Sequence, residues 1–241
     1  MNIKQFLQPL FKIENHRQLA ESTALILRND GKDNTFGFLT STDPSTGKAY
    51  LELLATGTQE ADRPLSGGYI CTLWHFHHPW SHRGYLSQKS SADVTVQLFT
   101  LAKTYWQVGE KDKAIYELGR SVHLLQDIFI PQHSGISAFK GHGEIEQWLA
   151  DNWQRYGVEE GGYYDWQEDF VTATGVGHHV SSQNPYDWID HGSHISIDWF
   201  ERYFANGKYD EDTFCMLGPL IIPYVLRFSA GFIQRFFTEV E

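Results

Sequence analysis

Five residues of metal-ligating type crowd into the run from His123 to Glu146: His123, Asp127, His133, His142 and Glu146, all within 24 positions. Any fold that encloses this run must neutralise the set or use it, because bare carboxylates and imidazoles in a core are costly. His123 and Asp127 stand four residues apart, and so do His142 and Glu146. On a helix that spacing stacks both side chains on one face, about 5–6 Å apart at Cβ, so both reach one ion. His133 follows Pro131 by two residues, where the chain leaves a helix. A mixed nitrogen and oxygen set suits a divalent cation, and its imidazole share favours zinc over magnesium or calcium. One such pair is more often a buried histidine bonded to a neighbouring carboxylate. Two pairs with a further histidine between them point to a metal cluster.

The surrounding pattern predicts an all-α protein of about eight to ten helices. From His16 to Leu27 apolar residues recur every three or four positions, with Asn15 as N-cap and Asn29-Asp30-Gly31 as the stop. Gly31–Glu60 carries Gly, Asp, Pro and Ser punctuation and reads as a loop, with room for a short helix at Ala49–Thr56. Pro64–Lys89 is glycine- and aromatic-rich and irregular. Ser91-Ala92-Asp93 caps a helix to about Val108, and Asp112 opens another running to Ile128. Gly119 lies four residues before His123 on the same stripe, where a missing side chain lets another helix or loop come close. A further helix is expected over Gly143–Tyr156, then a glycine-rich loop over Val158–Ser182. Asn184 caps a helix to about Phe204, and Phe214–Val240 is the last, its front half broken or kinked by Pro219 and Pro223. No convincing strand pair is visible.

Residues 1–241 read as a single domain, since no linker, charge block or repeat divides them. The formal charge of −11 argues against a constitutive nucleic-acid partner, although bound dications would cancel part of it. Cys71 and Cys215 sit in apolar stretches and read as packed thiols, at most one lone disulfide. Met1–Asn15 lacks the apolar core and small-residue cleavage site of a secretion signal, and no run of 18 apolar residues predicts a membrane span.

A second stretch extends the ligand set. Asp62, ahead of Arg63-Pro64, is followed thirteen residues later by His75 in Trp74-His-Phe-His-His-Pro79. Alone, Asp62 reads as a turn-forming acid, and His75, His77, His78 and His82 as a surface patch. The order Asp…His-Phe-x-x-Pro…Leu-Gly-x3-His-x3-Asp-x3-Pro-x-His…His-x3-Glu resembles the zinc-dependent bacterial phospholipase C family. Asn15-His16, Phe99–Gly109, Asn184-Pro-x-x-Trp188-Ile189 and Ser229–Ile233 resemble its further landmarks, so the likeness runs from about His16 to Glu239.

The resemblance implies an all-α catalytic domain holding two to three zinc ions. Asp62, His75, His123 and Asp127 would hold one ion. Asp127 would bridge to a second, which His16 also binds, and His133, His142 and Glu146 would hold the third. Two departures matter. In the family, the amino terminus of a tryptophan caps the ion that His16 and Asp127 share, and no tryptophan precedes His16 here. That ion is the uncertain one: it takes another ligand, binds weakly or is missing. The aromatic and acidic cage for choline is also not recognisable. Arg63 stands where an aromatic is expected, and Thr72 where another is; a guanidinium attracts an anion and repels choline. Arg63 is therefore a candidate substrate-binding residue.

The function so implied is phosphodiester hydrolysis, in-line attack by a metal-bound hydroxide on a phospholipid releasing diacylglycerol and a phosphorylated headgroup. Asp62 is the candidate to orient or deprotonate the water. The alternatives are a single-strand nuclease or nucleotidase of the same superfamily, whose last ligand is an aspartate where Glu146 stands, and a divergent metal-binding relative acting on a soluble small molecule. His77 and His82 receive no role, so their replacement by alanine is expected to be mild. The resemblance implies export, whereas the missing signal implies a cytoplasmic protein or one whose leader has been removed. The larger family members append a lipid-binding β-sandwich that is not seen before Glu241. Membrane contact is thus expected to be transient, through Trp80, Tyr85, Tyr163, Tyr164 and Trp166.

Overall fold

A computed structural model describes residues 13–63, 72–87 and 89–241. Among these are nine α-helices, and the central one, α5 (Lys111–Asp127), packs against α1 (Ile13–Asn29), α3 (Tyr50–Glu60), α4 (Ser91–Gln107), α8 (Pro185–Trp199) and α9 (Glu211–Val240). From Leu118 to Asp127 every residue of α5 is buried, so this half of the helix has no solvent face. A helix enclosed on all sides belongs at the centre of a core, and here it carries two polar ligand-type residues into it. The remaining helices are α2 (Asp33–Thr40), α6 (Pro131–Ser134) and α7 (His142–Asn152).

The expected helices are present with shifts of a few residues. Ser90, not Ser91, is the N-cap of α4, its hydroxyl accepting from the Asp93 amide in a capping box. Asn184 caps α8 by accepting from the Tyr186 amide, and beyond Trp199 the chain continues as a π-helical turn to Phe204. The helix α9 runs unbroken through Pro219 and Pro223. The carbonyls that these prolines leave without an amide partner belong to Cys215 and Pro219, both exposed, where water satisfies them. Cys215 is therefore a surface thiol and not the packed one expected; Cys71 lies outside the described residues. By length and composition α9 is apolar enough to cross a bilayer, but most of its apolar length is buried inside this protein.

Two segments expected as loop are ordered. The first, Gly31–Glu60, holds α2 and the whole of α3. Tertiary contacts outweigh the poor helix propensity of Asp33–Thr40: Phe38 stacks on Tyr50 and meets Trp106 and Phe237, and the Thr35 hydroxyl donates to Gln234. The second, Val158–Ser182, folds into an antiparallel hairpin of β1 (Gln167–Val171) and β2 (Gly177–Ser181). Its aromatics belong largely to the core. Trp166 is buried against Trp188 and His191, Tyr163 stacks on Phe228, and the Tyr164 hydroxyl donates to Asp30. Of the five aromatics expected to meet a membrane, Trp80 is the one that stands exposed.

Glycine decides where α3 lies. A Cβ at Gly119 would fall 2.1 Å from the Leu54 carbonyl oxygen, and one at Gly57 would fall 2.1 Å from that of Tyr116. Two facing glycines thus let the backbones of α3 and α5 touch. That contact delivers the end of α3, and Asp62 just beyond it, to the polar face of α5.

Candidate metal centre

His123 and Asp127 occupy successive turns of α5, and the fold brings Asp62, His75 and His16 to them. Asp62 follows α3, His75 ends a 3₁₀ turn at Thr72–His75, and His16 lies in the first turns of α1. The His75 segment is laced into place: the His77 amide donates to the His133 carbonyl, and the Ser91 amide to that of Phe76. His75 Nδ1 lies 2.7 Å from Asp127 Oδ2 and 3.3 Å from His123 Nε2. His123 Nε2 lies 3.2 Å from Asp127 Oδ2 and 3.4 Å from Asp62 Oδ1, and His75 Nδ1 is 3.7 Å from the same Asp62 oxygen. A tetrahedral ion with bonds of about 2.0–2.1 Å spaces its ligand atoms about 3.4 Å apart. Five separations among these four atoms, from 2.7 to 3.7 Å, lie close to that spacing.

The other oxygens of both carboxylates turn towards His16. Its Nε2 lies 3.5 Å from Asp127 Oδ1 and 3.9 Å from Asp62 Oδ2. The far side of the ring is fixed, because Nδ1–H donates to Gln126 Oε1 at 2.7 Å, which presents Nε2 to the carboxylates. A second group forms where α6 meets the start of α7. Its atoms are His133 Nε2, His142 Nε2 and Glu146 Oε1, spaced 3.0, 2.9 and 3.5 Å. Here too the ring is oriented from behind, His133 Nδ1–H donating to the His75 carbonyl at 3.0 Å. Three atoms at this spacing leave one corner of a tetrahedron open, as a site that admits water or substrate requires. His75, His123, His133, His142, Asp127 and Glu146 are all buried, while Asp62 lies at the edge of burial at 9 %.

Electrostatics hold the set together. Burial opposes charge on Asp127, yet His123 and His133 beside it keep the carboxyl well below its usual range. Burial also opposes ionisation of Asp62, and His123 followed by His75 outweighs it. His123 in turn resists burial because Asp127 and Asp62 flank it, and its pKa is pushed up to about 10. Burial lowers His16 and His75 towards the neutral form that ligates metals. Without an ion, the cluster is a buried network of imidazoles and carboxylates in which a proton on His123 stands where a dication fits. Several ring and carboxylate atoms have no hydrogen-bond partner, among them His75 Nε2, His142 Nδ1 and Glu146 Oε2. Donor chemistry, spacing and ring orientation all fit divalent metal.

No family profile matches the chain. Over 186 residues it is 25 % identical to a phospholipase C of Bacillus cereus, the alignment covering 68 % of this chain and 60 % of that protein. Over 154 residues it is 25 % identical to a phospholipase C of Clostridium haemolyticum, covering 60 % of this chain and 36 % of that one. The chain is thus distantly similar to bacterial phospholipases C over these stretches. It spans about 60 % of the length of the Bacillus phospholipase C that it matches. In fold, the chain superimposes on the alpha toxin of Clostridium absonum with a TM-score of 0.73 at 17 % identity, over 94 % of this chain and 64 % of the toxin. On the alpha-toxin of an avian strain of Clostridium perfringens the score is 0.70, again at 17 % identity, over 93 % and 63 %.

All eight ligand candidates read from the sequence, His16, Asp62, His75, His123, Asp127, His133, His142 and Glu146, come together in these two adjoining groups. Arg63 is exposed and paired with Glu60 at 2.7 Å. Sequence reading overlooked Gln126, whose only mark is its place beside Asp127. His77 also departs from expectation: it is fully buried and bonded to Asp190, so its replacement by alanine would not be mild.

Proposed function

We propose that the chain is a zinc-dependent phosphodiester hydrolase of phospholipase C type, with residues 1–241 acting as one catalytic domain and a phospholipid as substrate. The observation that carries this reading is the close spacing of Asp62, His75, His123 and Asp127 beside the tripod of His133, His142 and Glu146. In the proposed arrangement the first four would hold one zinc, the tripod would hold another, and His16 with Asp127 would hold a third. When bound, such dications neutralise phosphate charge, acidify water and stabilise a leaving alkoxide.

The chain's own groups supply the rest. Asp62 is the least buried of the clustered carboxylates and imidazoles, and His123 and His75 keep it charged, so it is placed to orient an attacking water. Gln126 and the His75 carbonyl hold the rings of His16 and His133 in the tautomers that face the centre. Beside His16 and Asp127 lies a cavity of about 10 Å³, the size of one water, lined by Leu19, Ile130, Leu149, Ile221, Ile222 and Val225. The net charge of −11 favours a lipid ester over a nucleic acid.

Hydrolysis of a short-chain phospholipid, single-stranded DNA and a generic phosphodiester, each with and without chelator, tests the proposal. The expected result is zinc-restorable turnover of the phospholipid above the other two. Preference for DNA would replace the reading with the nuclease one, and chelator-insensitive turnover would overturn the metal mechanism. Asp62→Asn is expected to lower turnover by about 10²–10⁴-fold if it handles the proton. Equal loss of zinc and turnover in that variant would instead make Asp62 chiefly a ligand.

A further inference from the structure

Away from the centre described above, four histidines converge on one carboxylate that the sequence pattern leaves without a role. Asp190, in the middle of α8, is fully buried. Its Oδ1 lies 2.7 Å from His77 Nε2 and 3.4 Å from His82 Nδ1. Its Oδ2 is bonded to His178 Nε2 and lies 3.9 Å from His194 Nε2. The five residues come from three separate segments: the turn after His75, the strand β2, and one face of α8, where Asp190 and His194 stand four residues apart. Two triads share this carboxylate, His77–His82–Asp190 on one oxygen and His178–Asp190–His194 on the other, and we propose that they form an additional binding site in which one late first-row divalent cation, typified by zinc, is held at Asp190, distinct from the phospholipase-type centre.

A buried aspartate needs one cationic partner, not four imidazoles. His77 and His194 are buried. Neither ring nitrogen of His194 has a hydrogen-bond partner, and Nδ1 of His77, on the far side of the ring from Asp190, has none either. A buried ring whose Nε2 is unmet 3.9 Å from a carboxylate that three other imidazoles also approach is the arrangement a cation satisfies. An imidazole-rich set selects zinc, nickel or copper over calcium and magnesium. With a single carboxylate in the cluster, a second dication would face uncompensated like charge, so the site takes one ion.

Access and support are both present. The side chains of His82 and His178 are 40 % and 30 % exposed, and they give the buried pair a path to solvent. His82 holds a left-handed φ of 52°, a costly conformation for a histidine, while its Nδ1 faces Asp190. The His194 ring lies flat on Phe170 at 4.1 Å, and Trp80 meets it edge-on at 4.3 Å, which fixes the orientation of the ring. An ion here would tie the hairpin and the His75 segment to α8. It would act as a clamp behind the catalytic ligands and not as part of them.

Metal analysis of the dialysed full chain tests this, using the double variant His82→Ala/His178→Ala. Both side chains reach the surface, and a thermal melt checks that the variant is folded. The expected result is loss of one zinc equivalent per chain relative to wild type. His142→Ala provides the contrasting arm, losing zinc from the other centre while zinc at Asp190 persists. Unchanged zinc in the double variant, with loss in His142→Ala, would overturn this inference and leave the proposed hydrolase function standing. A wild-type crystal grown with zinc gives an independent reading: an anomalous peak beside Asp190 is expected, and its absence would overturn the site.

Discussion

Asp127 offers each of its oxygens to a different neighbour, Oδ2 to His75 and His123 and Oδ1 to His16. In the proposed arrangement a carboxylate so placed would serve two ions, and neutralising it would remove charge from both. Asp127→Asn is therefore expected to cost more bound zinc than any other single substitution in the centre, at least one full equivalent by metal analysis. Gln126 acts one step further out. Gln126→Leu keeps the bulk but removes the acceptor that fixes His16, and loss of such an orienting partner weakens metal affinity by about 10–100-fold. Titration with zinc should show this loss in the weakest-bound ion alone. Uniform weakening of all ions would mean that Gln126 acts through the fold. The ligand string was legible in the sequence because each of its two central pairs rides on one helix at fixed spacing. Asp190 and His194 share that spacing on α8, but His77, His82 and His178 come from two other segments, and no spacing links them to Asp190.

Among the elements, the crossing of α3 and α5 does most to assemble the site, and two glycines permit it. Gly119→Ala would set a methyl group 2.1 Å from a backbone oxygen, a contact no rotamer change relieves. Overpacking of this kind costs about 1–3 kcal/mol and sometimes more. Because α3 ends beside Asp62, the helices should separate at that end, and zinc content should fall together with melting temperature. An unaltered melt and full zinc content in this variant would show that the crossing can adjust without disturbing the site. Gly119 was readable in advance as a point of close approach, and so were α4, α5 and α9, whose apolar stripes repeat at helical period. The helix α2 and the β-hairpin were not. α2 owes its form to Phe38 packing across the chain, and the strands β1 and β2 are too short and too exposed to show a buried alternation. In both, partners far along the sequence decide the local structure.

At the scale of the whole molecule, the two proposed metal groups lie at the junction of α1, α3, α5, α6 and α7, with the 3₁₀ turn of His75 between them. There charged and polar side chains meet inside a core that is otherwise apolar. Without cations, that junction rests on ion pairs among buried groups, which gain little over their desolvation cost. A ligand that binds the folded chain alone stabilises it by about 4 kcal/mol at a thousand times its dissociation constant. Removing zinc with a strong chelator is accordingly expected to lower the melting temperature by several degrees or more, and added zinc to restore it. Calcium or magnesium at the same concentration should restore far less, because the donor set is rich in imidazole. The change should begin at the metal junction: amides of α7 and of the His75 segment should lose protection from hydrogen exchange before those at the centre of α9. Equal melting temperatures with and without chelator would mean that the helices hold this junction unaided, and that its ligands serve chemistry alone.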